Sequence, residues 1–391
     1  MPRTITLIPE IRDAIIETGG IDVYKCYQCG KCAGVCPWYQ VEVIEFPTYR
    51  IPQAVKLGII TSSEDKDEIA AEVKEIFRCV GCDACTIECP HGVGMPDIMR
   101  AIRRILVEYG TLPNELKSAI SKIYNVGNPL GEPREKRADW SEGLDVSSFE
   151  PHMEFLYFPC CIPAYDARAR EVARATAKIL KMANVSFGIL GQQELCCCES
   201  IRKVGAEKVF QEVAKANINV FRDAGVKKVL TTSPHCYSTF KREYTEFGAN
   251  FEIIHQTQLF AQLIEQERLV TQKPINKRVV YHDPCTLGRQ NGIYDEPREV
   301  LKSIPGLELV EIENFSREYS LCCGGGGGGL WLDWPVDERI TNVRVKQAFD
   351  TGAEILAVTC PYCLQMFEDS VKVMNLNLEV KDISELLLEA L

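Results

Sequence analysis

The chain has 391 residues, room for about two to three domains, and its 46% hydrophobic and 25% charged residues are those of an ordinary soluble globular protein. Its 55 acidic residues outnumber 44 basic ones for a net charge of −11, which argues against nucleic acid or another polyanion as partner. The opening MPRTITLIPEIRDAIIETGG has no apolar run of signal-peptide length, and no later segment approaches the roughly 18 apolar residues of a spanning helix, so a cytoplasmic protein is expected, or one docked on a membrane through a partner.

Nineteen cysteines are the outlier, and they fall in tight clusters beside prolines, which favours metal ligation over a disulfide framework. The first run, Cys26-Tyr-Gln-Cys29-Gly-Lys-Cys32-Ala-Gly-Val-Cys36-Pro37, reads C-x2-C-x2-C-x3-C-P, and Cys79, Cys82, Cys85, Cys89 and Pro90 repeat it. Three thiolates at this interval wrap one face of a cubane, while the fourth leaves on a Pro-terminated turn and ligates the other cluster of a pair. Cys26, Cys29, Cys32 and Cys89 are therefore expected around one [4Fe-4S] cluster, and Cys79, Cys82, Cys85 and Cys36 around a second. A zinc ribbon wants four thiolates as two CxxC pairs and has no use for eight in this spacing.

Between the runs, PTYRIPQAVKLGIITSSEDKDEIAAEVKEIFR has helical apolar spacing, and MPDIMRAIRRILVEYG reads as an amphipathic helix closed by Gly110. Residues 1–112 are thus predicted as a mostly helical unit. The stretch 113–152 contains VGNPLGEPREKRADWSEGLDVSSFEP, rich in Gly, Pro and charge, and reads as a linker on the surface.

From residue 153 short β-rich runs alternate with helical stretches. FLYFP, VSFGIL, KKVLTT and FEIIH are predicted strands, with AYDARAREVARATAKILKMA and RKVGAEKVFQEVAKANINVFRDAG as helices between them. The order then repeats, with strands KRVVYH, LELVEI, EILAVT and LNLEV and helices PREVLKSI, PVDERITNVRVKQAFDTG and SELLLEAL. The cysteines repeat in step, Cys161 with Cys285, Cys196 with Cys322 and Cys236 with Cys363, so the region is a duplication. The predicted fold is a helical two-cluster domain followed by two α/β domains with parallel sheets, over 153–270 and 271–391.

In the second copy HDPC, LCCG and TCPYC each follow a predicted strand. Ligands of open parallel sheets collect beyond the carboxyl ends of strands, where helix N-termini offer N–H groups to anions. A thiolate-bound cluster is such an anion, so Cys285, Cys322, Cys323, Cys360 and Cys363 can converge on one inorganic core. The six glycines after Cys323 then supply bare backbone, with Gly324 and Gly325 at the cofactor. The run trivially contains GxGxxG, yet it follows two cysteines rather than a clean strand and no ribose-binding acid stands at the usual offset, which weighs against a nucleotide. A free linker is disfavoured between two periodic segments.

The spacing of these cysteines, duplicated and preceded by the double ferredoxin run, resembles the CCG domains of heterodisulfide reductases. The N-terminal part is similar to the HdrC component of those enzymes, and the fusion of the two in one chain resembles HdrD. Residues 20 to 391 carry the resemblance. It implies that Cys285, Cys322, Cys323, Cys360 and Cys363 hold a noncubane [4Fe-4S] cluster at which a disulfide is cleaved in two one-electron steps. The first copy departs from the pattern: Cys161, Cys196, Cys197 and Cys236 align, but Ser233 stands where the first CxxC cysteine belongs, Cys198 replaces the glycine of CCG, and Cys160 is extra. Its four matched thiolates could hold a further [4Fe-4S] cubane, a five-thiolate noncubane cluster would need Cys160, Cys198 or a serine oxygen to substitute, and zinc or an empty site stays open for that copy.

The resemblance implies an electron-transfer subunit of an anaerobic redox complex, served by a flavoprotein or by a membrane cytochrome or quinone-linked subunit. The alternatives are a catalytic thiol–disulfide reductase and a component of a class II benzoyl-CoA reductase complex. A metal-storage or zinc scaffold is a third reading of the residues themselves. His282 and His235, beside ligand cysteines, are candidate proton donors to a leaving thiolate, against a plainer reading as hydrogen-bonding or packing residues. Trp331 and Trp334 are expected to pack over the cluster loop.

Overall fold

A computed structural model of the protein describes residues 7–46, 48–59 and 72–391. The N-terminal part is built from helices and turns. Ile51–Leu57 carries Pro52 in its first turn and ends on Gly58 in the left-handed region, as its sequence dictates. Residues 72–76 are helical, and 60–71 of the predicted helical spacer lie outside the described residues. Met95–Glu108 forms the predicted amphipathic helix; Ile98, Met99, Ile102 and Ile105 are buried on one face, and Gly110 takes φ +69 just past its end.

The two α/β copies are alike in topology. In the first, β1 (Phe155–Phe158), β2 (Phe187–Gly188), β3 (Lys228–Thr231) and β4 (Glu252–His255) pair in the order β2-β1-β3-β4, all parallel. In the second, β5 (Arg278–Tyr281), β6 (Glu308–Val310), β7 (Ile355–Val358) and β8 (Glu379–Asp382) pair in the order β6-β5-β7-β8. The chain leaves β1 towards one edge and β3 towards the other, so the switch point of each sheet lies between its two central strands. Cys161 and Cys236 follow β1 and β3, and Cys285 and Cys360 follow β5 and β7, which puts the outer members of each cysteine set at that point. Two helices absent from the sequence reading, Gln256–Glu265 and Pro361–Val373, complete the copies.

Both sheets contribute to one apolar core, in which Tyr157, Ile179 and Leu230 join Tyr281, Ile355 and Leu387. Polar ties reinforce it: Gln256 donates to Asp382 at 3.0 Å, and Arg168 pairs with Glu368 and Glu385.

The predicted surface linker is corrected. Asn114–Val126 is a helix, and Arg137 and Trp140 in the next segment are each 1% exposed. The polar composition misled because Arg137 is buried as an ion pair with Glu194, 3.0 Å away, and carries polarity into the interior.

Candidate metal centres

Cysteines of both ferredoxin runs surround two small cavities. Cys26, Cys29, Cys32 and Cys89 line one, beneath the stacked rings of Tyr27 and His91, whose centroids are 4.3 Å apart. Cys36, Cys79 and Cys82 line the other, and Cys85 touches both. Pro37 at the start of the turn after Cys36 and the αL residue Asp83 after Cys82 set these loops.

In the second α/β copy the five sequence-predicted cysteines come together, all buried. Their thiols form a chain of contacts in which Cys285 lies 3.8 Å from Cys322, Cys322 meets Cys323, Cys323 meets Cys363, and Cys363 meets Cys360. The N–H groups of Gly324 and Gly325 donate to the sulfurs of Cys322 and Cys323 at 3.4 and 3.5 Å. One part of the expectation fails: LCCG does not directly follow a strand. β6 ends at Val310, and a turn over Arg317–Tyr319 brings the cysteines in. Asp283 of HDPC fixes that loop; it holds Arg298 through both carboxylate oxygens (2.7 and 2.8 Å), accepts from the N–H of Arg317 at 2.8 Å, and its carbonyl accepts from Ser320.

Gly326 and Gly327 face another part of the protein. A Cβ at Gly326 would sit 2.4 Å from the carbonyl oxygen of Val80, and one at Gly327 would sit 2.5 Å from that of Cys79. The bare backbone thus admits the second ferredoxin run, and the thiol of Cys82 reaches that of Cys322. The two cysteine sets on either side of this junction are in side-chain contact.

Two guanidinium groups hold the junction without a carboxylate among their hydrogen-bond partners. Arg103, 2% exposed, donates to the carbonyls of Ile76, Cys79, Lys203 and Gly327 at 2.6–3.1 Å. Arg289 donates to the carbonyls of Cys82 and Ser320 at 2.7 and 2.5 Å, and its Nη2 is buried with no partner. Its electrostatic neighbours are Cys82, Cys285 and Cys322. Neither Arg was apparent from sequence, since each acts across a long chain separation.

This chemistry fits an anionic iron–sulfur core. Burial pushes the thiols of Cys36 and Cys85 well up, and neighbouring cysteines push them further, while Cys82, hydrogen-bonded to Cys322, is drawn down to about 6, so holding Cys36 and Cys85 as thiolates calls for bound cations. Uncompensated guanidinium groups beside it match the net negative charge of a thiolate-ligated cluster.

The histidines differ. His282 is fully buried; its Nδ1 accepts from Arg344 at 3.2 Å, so Nε2 carries the proton, and that atom has no partner. A ring nitrogen stands within 4.8 Å of the sulfurs of Cys323 and Cys363. Burial and then Arg344 hold its pKa well below the ordinary value, so it suits a neutral N–H donor to sulfur and suits the expected proton-donor role poorly. His235 lies 3.2 Å from the buried Glu199, stacks on Tyr362 with centroids 4.4 Å apart, and reaches the thiol of Cys360 in the other copy. Burial alone would lower its pKa, but Glu199 and Cys360 outweigh that and raise it.

Trp331 and Trp334 join Trp38, Gly324 and Met366 around a cavity of about 430 Å³ beside the glycine loop. In the first copy Cys160, Cys161, Cys196, Cys197, Cys198 and Cys236 are all buried, with Cys236 3.3 Å from Cys197, while Ser233 is buried nearby. Arg137 points Nη1 at the sulfur of Cys161, 3.6 Å away.

No helix among the described residues is long and apolar enough to cross a membrane.

Residues 22–93 match the family described as a 4Fe-4S dicluster domain, and residues 155–241 and 279–368 match the cysteine-rich domain family. The chain is 32% identical, over 95% of its length, to the probable iron-sulfur-binding oxidoreductase FadF of Bacillus subtilis, and 31% identical over the same share to the EtfAB:quinone oxidoreductase of Syntrophomonas wolfei. It spans 60% and 58% of those longer relatives. It is 32% identical to the HdrD component of the dihydromethanophenazine:CoB–CoM heterodisulfide reductase of Methanosarcina barkeri, covering 95% of this chain and 94% of that one. A hypothetical protein from Helicobacter pylori of known crystal structure shares the fold, with a TM-score of 0.53 at 11% identity over 90% of this chain and 74% of that one. On this sequence identity across almost the full length of both chains, with the dicluster domain and both cysteine-rich domains present, the chain belongs to the HdrD family of iron–sulfur proteins, named for that component of heterodisulfide reductase.

Proposed function

We propose that the chain is the electron-transfer subunit of a redox complex, taking electrons from a partner at its ferredoxin half and delivering them to its cysteine-rich half. Cys26, Cys29, Cys32 and Cys89 would hold one cubane, Cys36, Cys79, Cys82 and Cys85 the second, and Cys285, Cys322, Cys323, Cys360 and Cys363 a noncubane [4Fe-4S] cluster, with Gly324 and Gly325 donating N–H groups to its sulfurs. When bound, these groups supply one-electron chemistry. The observation that carries the reading is the contact of Cys82 with Cys322, which leaves no solvent layer between the two cysteine sets. The donor is proposed as a flavoprotein or a membrane cytochrome or quinone-linked subunit, in line with relatives whose names pair EtfAB with quinone and dihydromethanophenazine with a heterodisulfide.

The cavity beside Gly324 and the His235–Glu199 pair at Cys360 favour a second reading, in which a disulfide is reduced at this site and His235 protonates the leaving thiolate. Anaerobic protein, reduced and then mixed with a disulfide, separates the two. Relay predicts that the paramagnetic signals of the reduced protein persist until an oxidised protein partner is added. Disulfide-dependent loss of those signals with release of thiol would establish the second reading in its place.

Arg289 gives a sharper check of the junction. Arg289→Gln removes a positive charge beside Cys82, Cys285 and Cys322, so the more negative reduced forms lose stabilisation. The midpoint potentials of the centres at Cys79–Cys85 and Cys285–Cys363 should both fall in an EPR-monitored redox titration, while the Cys26–Cys32 centre moves far less. Equal shifts of all three, or none, would rule out a shared electrostatic junction.

A further inference from the structure

The first cysteine-rich copy lacks one cysteine of the pattern, yet its thiols close a circuit. In the second copy the contacts run Cys285, Cys322, Cys323, Cys363, Cys360. The equivalent residues of the first copy follow the same order: Cys161 meets Cys196, Cys196 meets Cys197, and Cys197 meets Cys236. The next member would be Ser233, but its Oγ is fully buried and bonded to nothing. Cys160 instead reaches Cys236 on one side and Cys161 on the other. Five thiols therefore form a ring, with Cys160 beside Cys236 as Cys360 is beside Cys363.

We propose that Cys160 supplies the fifth thiolate that Ser233 cannot, so that the first copy also holds an iron–sulfur cluster of the [4Fe-4S] class with a complete ligand set of its own. The inference rests on the proposed function, in which the second cysteine-rich copy holds iron.

The backbone bears the mark of that role. Cys160 sits at φ +80, ψ +165, a region that only glycine adopts without strain. Holding a residue with a Cβ there is strained, and such strain persists where the surroundings require the side chain in one place. Here the twist turns two successive cysteines, Cys160 and Cys161, into the same site from the end of β1. Cys198, the sixth thiol, has a different part. It occupies the position of Gly324, also takes a positive φ (+63 against +92), and its N–H donates to the sulfur of Cys196 at 3.3 Å as that of Gly324 does to Cys322 at 3.4 Å. Its backbone does the work of the missing glycine, and its thiol meets Cys196 alone of the ring.

The surroundings favour a cluster over a single zinc ion. Zinc in a structural site takes four ligands and closes its shell, which would leave one thiol of the ring over. Arg137, donated by the segment before β1, faces Cys161 and keeps a buried, unpartnered Nη2 there. Arg289 is an electrostatic neighbour of Cys285, so each copy has a guanidinium near its first cysteine, that of Arg137 being paired with Glu194 as well.

The test is metal analysis with Mössbauer and EPR spectroscopy on anaerobically purified full-length protein. Cys160→Ser should lose about a quarter of the bound iron, one cluster of four, with the signals of the other clusters intact. Cys160→Ser combined with Ser233→Cys should restore that iron, because it rebuilds the ligand order of the second copy; recovery also shows that the loss is not misfolding. Cys198→Ser should keep the full complement. The proposal is overturned if Cys160→Ser retains all its iron, if the double variant fails to regain it, if Cys198→Ser is the variant that loses a cluster, or if the wild type carries stoichiometric zinc. Cys323→Ala tells the two levels apart: unchanged iron in that variant would remove the proposed function itself, whereas loss there with no change in Cys160→Ser removes only this inference.

Discussion

Gly327→Val is expected to destabilise the protein by about 3 kcal/mol or more and to part the ferredoxin half from the cysteine-rich half. Two costs add. Gly327 has φ +59, where a β-branched residue is strained by about 1–3 kcal/mol. Its Cβ would also lie 2.5 Å from the carbonyl oxygen of Cys79 and 3.0–3.1 Å from the backbone of Val80, atoms that cannot swing aside as a side chain can, and such overpacking costs about another 1–3 kcal/mol. Gly352→Ala is the control: at φ +72 with nothing within 4 Å of its Cβ, it should cost only the backbone share, about 1–2 kcal/mol. Denaturant unfolding of the metal-loaded protein gives both values. Comparable losses in the two variants would mean that the ferredoxin run does not press on the loop. The electron path makes a second readout: with the loop pushed back, Cys82 leaves Cys322, and reduction of the cysteine-rich half by a donor to the ferredoxin half should slow while the spectra of the individual clusters persist.

The first four of the six glycines thus serve two ends along one short run. Gly324 and Gly325 turn their N–H groups to cysteine sulfurs, as the cysteines beside them imply. Gly326 and Gly327 serve Val80 and Cys79, residues about 250 positions away, and nothing local announces that. The same division runs through the molecule. The strands, their parallel sheets, the duplication and the spacing of the cysteines are legible because they rest on periodicity and on spacing within single loops. What stays hidden depends on distant segments meeting. Arg137 lies in a stretch whose composition reads as solvent-exposed, yet it is buried at Cys161; His235 of one copy reaches Cys360 of the other. In the sequence Cys160 is one of several candidates for the missing ligand and does not stand out from Cys198, because its positive φ, which turns it into the ring, leaves no trace in the residue type: glycine or asparagine would signal it, and cysteine does not. The helix Pro361–Val373 is masked in the sequence because its first turn is also the CxxC motif, so the ligand pattern overlies Pro at the first helical position.

Arg103→Met should be among the most damaging single changes, lowering stability by about 3–5 kcal/mol, the scale of removing one partner from a buried charged arrangement. Its guanidinium gathers four carbonyls from three parts of the chain: Ile76 and Cys79 of the ferredoxin half, Lys203 of the first copy and Gly327 of the second. Methionine matches much of the volume and leaves those oxygens without donors, so the loss isolates hydrogen bonding from packing. Burial draws the pKa of Arg103 down to about 10, opposed by the thiol of Cys79, which leaves the group cationic at neutral pH and tied to the charge of that site. Arg103→Lys keeps the charge but has a single point donor in place of a planar fork, and it should recover less than half of the loss. The order wild type, Lys, Met in thermal unfolding, with iron content falling in the same order, is the expected result. A Met variant as stable as wild type would show that the three segments are held together by apolar contact alone, and that the positive charge beside Cys79 serves no bound anion.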